Sequence, residues 1–166
     1  MKRFNQNISA NSKYSFSQRL NFTINFTSDW TLQADLDKKL QIPDIVQTSL
    51  RPDIVIQSIA TKRHVIVELT VPWEERCQRA YELKKSKYID LQTLCKERGW
   101  QTWLFPAEVC CRGFPAQSMW TTLSSLCIVR RQRRATVKAL GQAAERASSW
   151  LWLKRDQENW KLSNEG

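Results

Sequence analysis

Histidine is almost absent from this chain of 166 residues, and its scarcity removes several kinds of chemistry. The single histidine, His64, leaves no room for a histidine-based zinc site or for a nuclease of the His-Asn-His type. Long apolar runs are also missing, because Glu68 interrupts the longest one, around residues 65–71. We therefore expect no segment that spans a bilayer.

Paired cysteine motifs are missing as well. The five cysteines include no C-x-x-C pair, which argues against a structural zinc site. An odd number of cysteines cannot pair completely, and the N-terminus lacks the apolar segment of a secretory signal. We therefore expect reduced thiols in an intracellular protein.

Acidic side chains are few relative to basic ones. Asp and Glu number 16 against 26 Lys and Arg, which leaves a formal net charge of +10 at pH 7. A polyanion is therefore the first partner to consider. A membrane surface is a weaker alternative, because no predicted helix pairs a basic face with a large apolar one. The apolar content of 42% is enough for a core, and the length suits one domain.

The chain divides into a leader, one domain and a short tail. Residues 1–28 are rich in Asn, Ser, Gln and Thr, and we expect them to be poorly ordered or to form one helix. Residues 29–160 form the domain and 161–166 the tail. Periodicity and breakers predict the order of elements in the domain. They are a strand at 30–34, a hairpin of strands 53–58 and 64–71, a helix at 74–98 ended by Gly99, a bent strand or strand pair at 100–109, and helices at 116–127 and 136–154. This order predicts an α/β domain with a mixed sheet.

Two acids in the predicted hairpin suggest a metal site. Asp53 begins one strand and Glu68 lies near the end of its partner, so folding of the hairpin brings them towards each other. Both are flanked by apolar residues, where a carboxylate is costly to bury unless it is paired or binds a cation. A hard divalent ion with oxygen ligands, such as Mg²⁺, relieves the repulsion between two acids. The alternative is that each acid caps a strand end and points into water.

One lysine lies on the apolar face of the following helix. A stripe at steps of three and four consists of Cys77, Tyr81, Tyr88, Leu91 and Cys95, and Lys84 fills the step between the two tyrosines. Lys87 lies beside the stripe, one turn further on. A lysine on a face directed at the core suggests an inward partner, a carboxylate or a phosphate. Alternatively, its stem lies along the sheet edge and its charge reaches water.

These residues resemble the PD-(D/E)xK nuclease superfamily, most closely the restriction-enzyme-like endonuclease domain of some non-LTR retrotransposons. The motifs that carry the likeness are Arg51-Pro52-Asp53-Ile54-Val55, Val67-Glu68-Leu69-Thr70-Val71-Pro72-Trp73-Glu74, and Lys84 with Lys87-Tyr88. A further stretch resembles the end of uncharacterised retroelement-derived proteins, Glu145-Arg146-Ala147-Ser148-Ser149-Trp150-Leu151-Trp152. The likeness covers residues 30–160. It implies a restriction-endonuclease-like core of the αβββαβ type, with a small mixed sheet flanked by helices.

The resemblance also implies an activity, the hydrolysis of DNA with Mg²⁺ or Mn²⁺ to leave a 3′-hydroxyl. It implies that Asp53, Glu68 and the backbone carbonyl of Leu69 hold the metal. The superfamily usually has a lysine two residues after the second acid, where this chain has Thr70. In the retrotransposon branch the lysine is thought to come from the next helix, which points to Lys84 or Lys87. Thr70 keeps open the alternative of a decayed nuclease fold that only binds nucleic acid.

The remaining charge suggests how a duplex is held. The densest basic run stands just before the predicted last helix and consists of Arg130, Arg131, Arg133, Arg134 and Lys138. Such a run binds phosphates without reading bases. It is also compatible with a nuclear localisation signal, or with a solvated helix face.

Glu74 and Glu75 are second-tier candidates for the outer shell of the metal. Alternatively, they are acids that stabilise a helix N-terminus. With one site per chain, double-strand cutting requires a homodimer or two sequential nicks.

Overall fold

The computed structural model describes residues 29–35, 40, 46 and 48–155. The leader predicted for residues 1–28 and the tail at 161–166 lie outside this part of the chain. The described residues form a mixed α/β fold with one four-stranded sheet and three α-helices, as expected from the order of the elements. None of the helices described is long and apolar enough to cross a membrane.

The sheet has the order β1-β2-β3-β4. Its strands are β1 (Trp30–Ala34), β2 (Ile54–Ser58), β3 (Arg63–Thr70) and β4 (Gln101–Glu108). The pairs β1–β2 and β2–β3 are antiparallel, whereas β4 runs parallel to β3. The parallel pair requires a crossover, and the long helix between β3 and β4 supplies it. The predicted hairpin is confirmed to within one residue at each strand end.

Three α-helices follow the hairpin. They are α1 (Cys77–Glu97), preceded by a 3₁₀ turn at Glu74–Arg76, then α2 (Gln117–Ser125) and α3 (Arg130–Lys154). Gly99 ends α1 as predicted, because its φ of +80° places it in the left-handed region that glycine adopts without strain. Its amide donates to the carbonyl of Lys96 at 2.9 Å.

One element decides between two predicted alternatives, and another differs from the prediction. Residues 101–108 form one continuous strand and not a strand pair, and Pro106 is accommodated because β4 pairs with β3 alone among the described strands. Helix α3 begins at Arg130, six residues earlier than the predicted 136. The basic residues therefore belong to the first turns of α3 and do not precede it. Apolar periodicity missed these turns because their exposed side chains carry no apolar signal.

Two apolar clusters on opposite faces of the sheet give the domain three layers. Val65 and Val67 of β3 point to one face, where Met119 of α2 and Val137 of α3 cover them. Ile66 points to the other face and packs against the α1 stripe. The buried members of that stripe are Tyr88, Leu91 and Cys95. Alternation along β3 therefore decides which side chains meet α1.

Helical spacing predicts one apolar face on the last helix, formed by Val137, Leu140, Ala144, Ala147 and Leu151, and this prediction is correct only over the first half of α3. Val137 and Ala144 are buried in the core, whereas Ala147 and Leu151 are exposed. Trp150 also lies on a periodic apolar face, which predicts a core position, but its side chain is 54% exposed. Periodicity defines an apolar face of a helix, but it contains no information on how far the neighbouring layer extends beneath that face.

Candidate active site

The two acids singled out in the hairpin occupy directly opposite positions. The register pairs Ile54 with Val67, which makes Asp53 and Glu68 the next opposite residues, on the face covered by α1. The amide of Asp53 donates to Oε2 of Glu68 at 3.2 Å. The amide of Leu69 donates to Oδ2 of Asp53 at 2.6 Å. The structure therefore brings both carboxylates into one cluster and does not direct them to opposite faces.

Helix α1 directs two lysines at this cluster. Nζ of Lys84 lies 2.9 Å from Oε1 of Glu68, and Nζ of Lys87 lies 3.7 Å from the same oxygen. The residues are three apart on the helix, so their side chains leave it on neighbouring faces. The side chain of Glu68 is only 2% exposed and that of Lys84 28% exposed. Lys84 therefore neutralises a carboxylate that is almost fully buried.

Tyr88 is part of the site, although its position on the helix stripe indicated only a core residue. Its ring is fully buried, and its hydroxyl lies 2.9 Å from Oε1 of Glu68 and 2.9 Å from the carbonyl oxygen of Arg51. The hydroxyl has a single proton, so it donates to one of these acceptors at a time. The sequence could have indicated this role, because the hydroxyl of a buried tyrosine usually needs a hydrogen-bond partner inside the protein.

The two acids differ in their affinity for a proton. Burial opposes ionisation of Glu68, but the hydrogen bonds from Lys84 and Tyr88 outweigh it and lower its pKa. Burial raises the pKa of Asp53, and the neighbouring Glu68 carboxylate acts in the same direction, although the amide of Leu69 opposes them. The negative charge of the pair is therefore held mainly by Glu68, and a proton is retained more readily on Asp53.

A third acid, Glu108, lies next to the cluster and was not identified from the sequence. The parallel register pairs it with Thr70, and it is 1% exposed. One carboxylate oxygen accepts a hydrogen bond from the hydroxyl of Ser118, while the other is buried without a partner among the described residues. Burial raises the pKa of Glu108, and Ser118 and Lys84 oppose the rise. The sequence did contain a signal for Glu108, because it is a single acid among apolar residues. Glu68, which was identified, stands in a stretch of the same kind.

A cavity of about 290 Å³ opens beside Glu108, at the outer edge of β4 and between α1 and α2. Its walls include Cys77, Tyr81, Pro106, Glu108, Ser118 and Thr121. Tyr81 precedes Lys84 by three residues on α1, which places the cavity one helical turn from the acid and lysine cluster. Glu108 lines the cavity, whereas Asp53, Glu68, Lys84 and Lys87 are not among its lining residues.

Glu74 and the basic run make their contacts away from this cluster, and Glu75 is exposed. Glu74 forms a two-point ion pair with Arg112, at 2.7 and 2.9 Å, and Arg112 lowers its pKa. The basic run belongs to α3, which covers the opposite face of the sheet. Within the run, Arg133 donates to the hydroxyl oxygen of Ser124 at 2.6 Å and thereby ties α3 to α2.

The donors of the cluster fit a small hard cation. Two carboxylates and the carbonyl of Leu69 are oxygen ligands, and Mg²⁺ commonly uses one or two protein carboxylates and keeps several waters. No group of three or more His, Cys, Asp and Glu side chains among the described residues is arranged to hold a metal ion. The predicted ligand set is not such a group, because it consists of two side chains, Asp53 and Glu68, and the backbone carbonyl of Leu69.

Comparisons with known proteins add no further assignment. No protein-family model matches the sequence, and no curated protein matches it significantly. The geometry of the cluster and the sequence motifs are therefore the basis for a functional proposal.

Proposed function

We propose that the protein is a Mg²⁺-dependent DNA endonuclease with a PD-(D/E)xK type of site, derived from a non-LTR retrotransposon. The observation that supports it most is the placement of Lys84. A helix carries its ammonium group to 2.9 Å from Glu68, next to the Asp53 that stands opposite Glu68 in the hairpin. Two acids and a lysine thereby meet in one place, even though Thr70 occupies the usual lysine position.

The residues of the chain have distinct roles in this proposal. Asp53, Glu68 and the carbonyl of Leu69 would hold the Mg²⁺ or Mn²⁺ ion. When bound, such an ion lowers the pKa of a water ligand and stabilises charge that develops on the phosphate. The amide of Leu69 and the hydroxyl of Tyr88 keep the two carboxylates oriented.

Lys84 acts as a point charge near the scissile phosphate. Its ion pair with Glu68 holds the ammonium group in position beside the two acids. Lys87, at 3.7 Å from the same carboxylate and more exposed, is placed to contact the phosphate from the solvent side. Hydrolysis would leave a 3′-hydroxyl.

A plasmid-nicking assay tests the proposal. Purified wild-type protein is incubated with supercoiled DNA and Mg²⁺ or Mn²⁺, and is compared with Asp53→Asn, Glu68→Gln and Lys84→Met. Each variant keeps the size of the side chain and removes its charge. We expect each to reduce nicking on the order of a hundredfold or more, as do other groups that stabilise charge in a transition state. The product end is checked by extension with a DNA polymerase, which requires a 3′-hydroxyl.

Matched control variants separate the site from general charge. Asp90→Asn and Lys85→Met remove one charge of each sign from exposed positions on α1, and both should nick like wild type. Nicking that survives in Asp53→Asn contradicts the proposed site. Accumulation of nicked circles before linear DNA indicates one cut at a time, whereas immediate linear product indicates a homodimer.

A second candidate function is a nuclease fold that binds nucleic acid without cutting it. Thr70 favours it, and so does a basic face on α3. Arg130, Arg134 and Lys138 are exposed and four residues apart, which aligns them over about 12 Å of helix. This stretch would bind phosphates in either function, and it is also suited to serve as a nuclear localisation signal.

The salt dependence of DNA binding tests this face. Replacing all three residues by alanine should reduce the slope of log affinity against log salt by up to about 2.7, since each phosphate contact contributes about 0.9. The double variant Lys85→Ala and Lys96→Ala, on α1, provides the control. Binding without nicking in either metal would favour the second function, and an unchanged slope would show that the α3 face does not hold DNA.

A further inference from the structure

Two cysteines that are distant in sequence meet at the end of the sheet. Sγ of Cys77 lies 3.0 Å from Sγ of Cys110, and 33 residues separate them. Cys77 is the first residue of α1, and Cys110 follows β4 by two residues. A covalent link between them would join the helix that carries Lys84 to the strand that carries Glu108.

Backbone hydrogen bonds fix the segment that contains Cys110 and tie it to the chain before α1. The amide of Cys110 donates to the carbonyl of Phe114 at 2.7 Å, and the amide of Cys111 donates to the carbonyl of Pro72 at 2.9 Å. The second bond ties the segment after β4 to the segment that precedes α1. A disulfide has a sulfur–sulfur distance of about 2.04 Å, so the two sulfurs must approach by about 1 Å.

The pair is accessible from one side. Cys110 is only 5% exposed, whereas Cys77 is partly exposed and lines the cavity between α1 and α2. A disulfide oxidant that approaches the protein from this side reaches Cys77 first, because Cys77 is the more exposed of the two. Cys110 is then the nearest thiol with which the oxidised sulfur can react.

We propose that Cys77 and Cys110 form an oxidation site that closes to an intramolecular disulfide in the presence of a disulfide oxidant such as oxidised glutathione. In the first step the thiolate of Cys77 attacks one sulfur of oxidised glutathione, forms a mixed disulfide and releases one reduced glutathione. In the second step Cys110 loses its proton and attacks the Cys77 sulfur, releasing the second glutathione. The two cysteines lose two electrons in total, and the oxidant gains them.

The environment of Cys77 predicts slow exchange. Burial raises its pKa to about 12, and Cys110 together with the carboxylates of Glu108 and Glu74 acts in the same direction. The thiolate is the attacking species, so the rate should be low at neutral pH and rise as the pH increases. The proposal is therefore one of a slow, equilibrium oxidation, and it does not depend on the nuclease function.

The experiment measures the disulfide directly. Wild-type protein is equilibrated at pH 8.5 in glutathione buffers of increasing oxidised fraction, remaining thiols are alkylated, and digested peptides are identified by mass spectrometry. We expect a peptide pair joined through Cys77 and Cys110, two hydrogen masses lighter than the separate peptides. We also expect the oxidised protein to unfold at a higher temperature than the reduced protein, since the link closes a loop of more than thirty residues.

Serine variants assign the pairing. Cys77→Ser and Cys110→Ser should abolish the crosslink, while Cys127→Ser should leave it unchanged. Full alkylation of both cysteines in the most oxidising buffer would overturn the proposal, and so would a crosslink of Cys77 to Cys111. The wild-type peptide measurement needs no variant, so it remains decisive if a serine variant fails to fold.

Discussion

The ion pair between Lys84 and Glu68 makes a prediction about folding that can be tested separately from catalysis. Replacing Lys84 by methionine keeps the aliphatic stem and removes the ammonium group 2.9 Å from Oε1 of Glu68. The carboxylate left behind is almost fully buried. It keeps the hydroxyl of Tyr88, the amide of Asp53 and the more distant ammonium group of Lys87.

The size of the effect follows from these remaining partners. Removing one member of a buried ion pair costs about 3–5 kcal/mol when the other charge is left unpaired. Glu68 is not left unpaired, so the loss of one hydrogen bond to a charged group, about 1.5–3 kcal/mol, is the better guide. We expect Lys84→Met to lower the free energy of unfolding by about 2 kcal/mol at pH 7, within that range. For a chain of this size that corresponds to a melting temperature lower by about 4–8 °C.

The pH dependence of this loss has a definite sign. Lys84 holds the pKa of Glu68 below its ordinary value of 4.5, so the stabilisation is fully present above pH 4.5. It disappears as the pH falls through the folded-state pKa and Glu68 becomes protonated. The difference between wild type and Lys84→Met should therefore shrink in acid.

Urea denaturation at pH 7 and at acid pH, with linear extrapolation to water, measures both free energies. Lys85→Met is the control, because Lys85 is exposed and its loss should change stability by less than about 0.5 kcal/mol. The reasoning is wrong if Lys84→Met is as stable as Lys85→Met at pH 7. It is also wrong if the loss is the same in acid.

Three further predictions concern buried groups. Tyr88→Phe removes a hydroxyl that lies 2.9 Å from Glu68 and should lower the free energy of unfolding by about 1.5–3 kcal/mol in urea denaturation. Gly141→Ala places a Cβ against the carbonyl oxygen of Gly113, closer than van der Waals contact allows, and should cost about 1–3 kcal/mol by overpacking. Burial lowers the pKa of His64 from 6.5 to about 4, so stability should fall as the pH drops from 6.5 to 4, by up to about 3 kcal/mol.

Each of these predictions has its own control. Tyr81→Phe removes a hydroxyl from a partly exposed ring of the same helix and should be nearly neutral. Gln142→Ala changes an exposed position next to Gly141, where alanine has no neighbour to displace. His64→Gln should flatten the stability profile between pH 4 and 6.5. A profile that keeps its slope in this variant would assign the titration to another group.

Local periodicity was enough to predict part of the candidate site. A hairpin with a short turn determines which residues of its strands stand opposite each other, so Asp53 and Glu68 were placed correctly from spacing alone. The helical repeat likewise placed Lys84 on the face directed at the sheet. Both inferences involve residues within one element or in adjacent elements.

Tyr88 shows where such reasoning falls short. Its position on the α1 stripe correctly predicted a buried ring, but the partners of its hydroxyl are the Glu68 side chain and the carbonyl of Arg51, on and before the hairpin strands. Which polar groups face a helix depends on how it crosses the sheet. That crossing is set by the packing of both surfaces and is not encoded in the repeat of either one.

The chain therefore determines by itself its α/β class, the pairing of its two hairpin acids and the helix face that bears Lys84. Only the tertiary structure decided that Glu108 stands beside Thr70, because a parallel strand is brought into register by a crossover and not by a turn. It also placed the basic residues of α3 on the sheet face opposite the acids. The choice of layer depends on contacts between elements far apart in sequence, and composition and periodicity contain no record of those contacts.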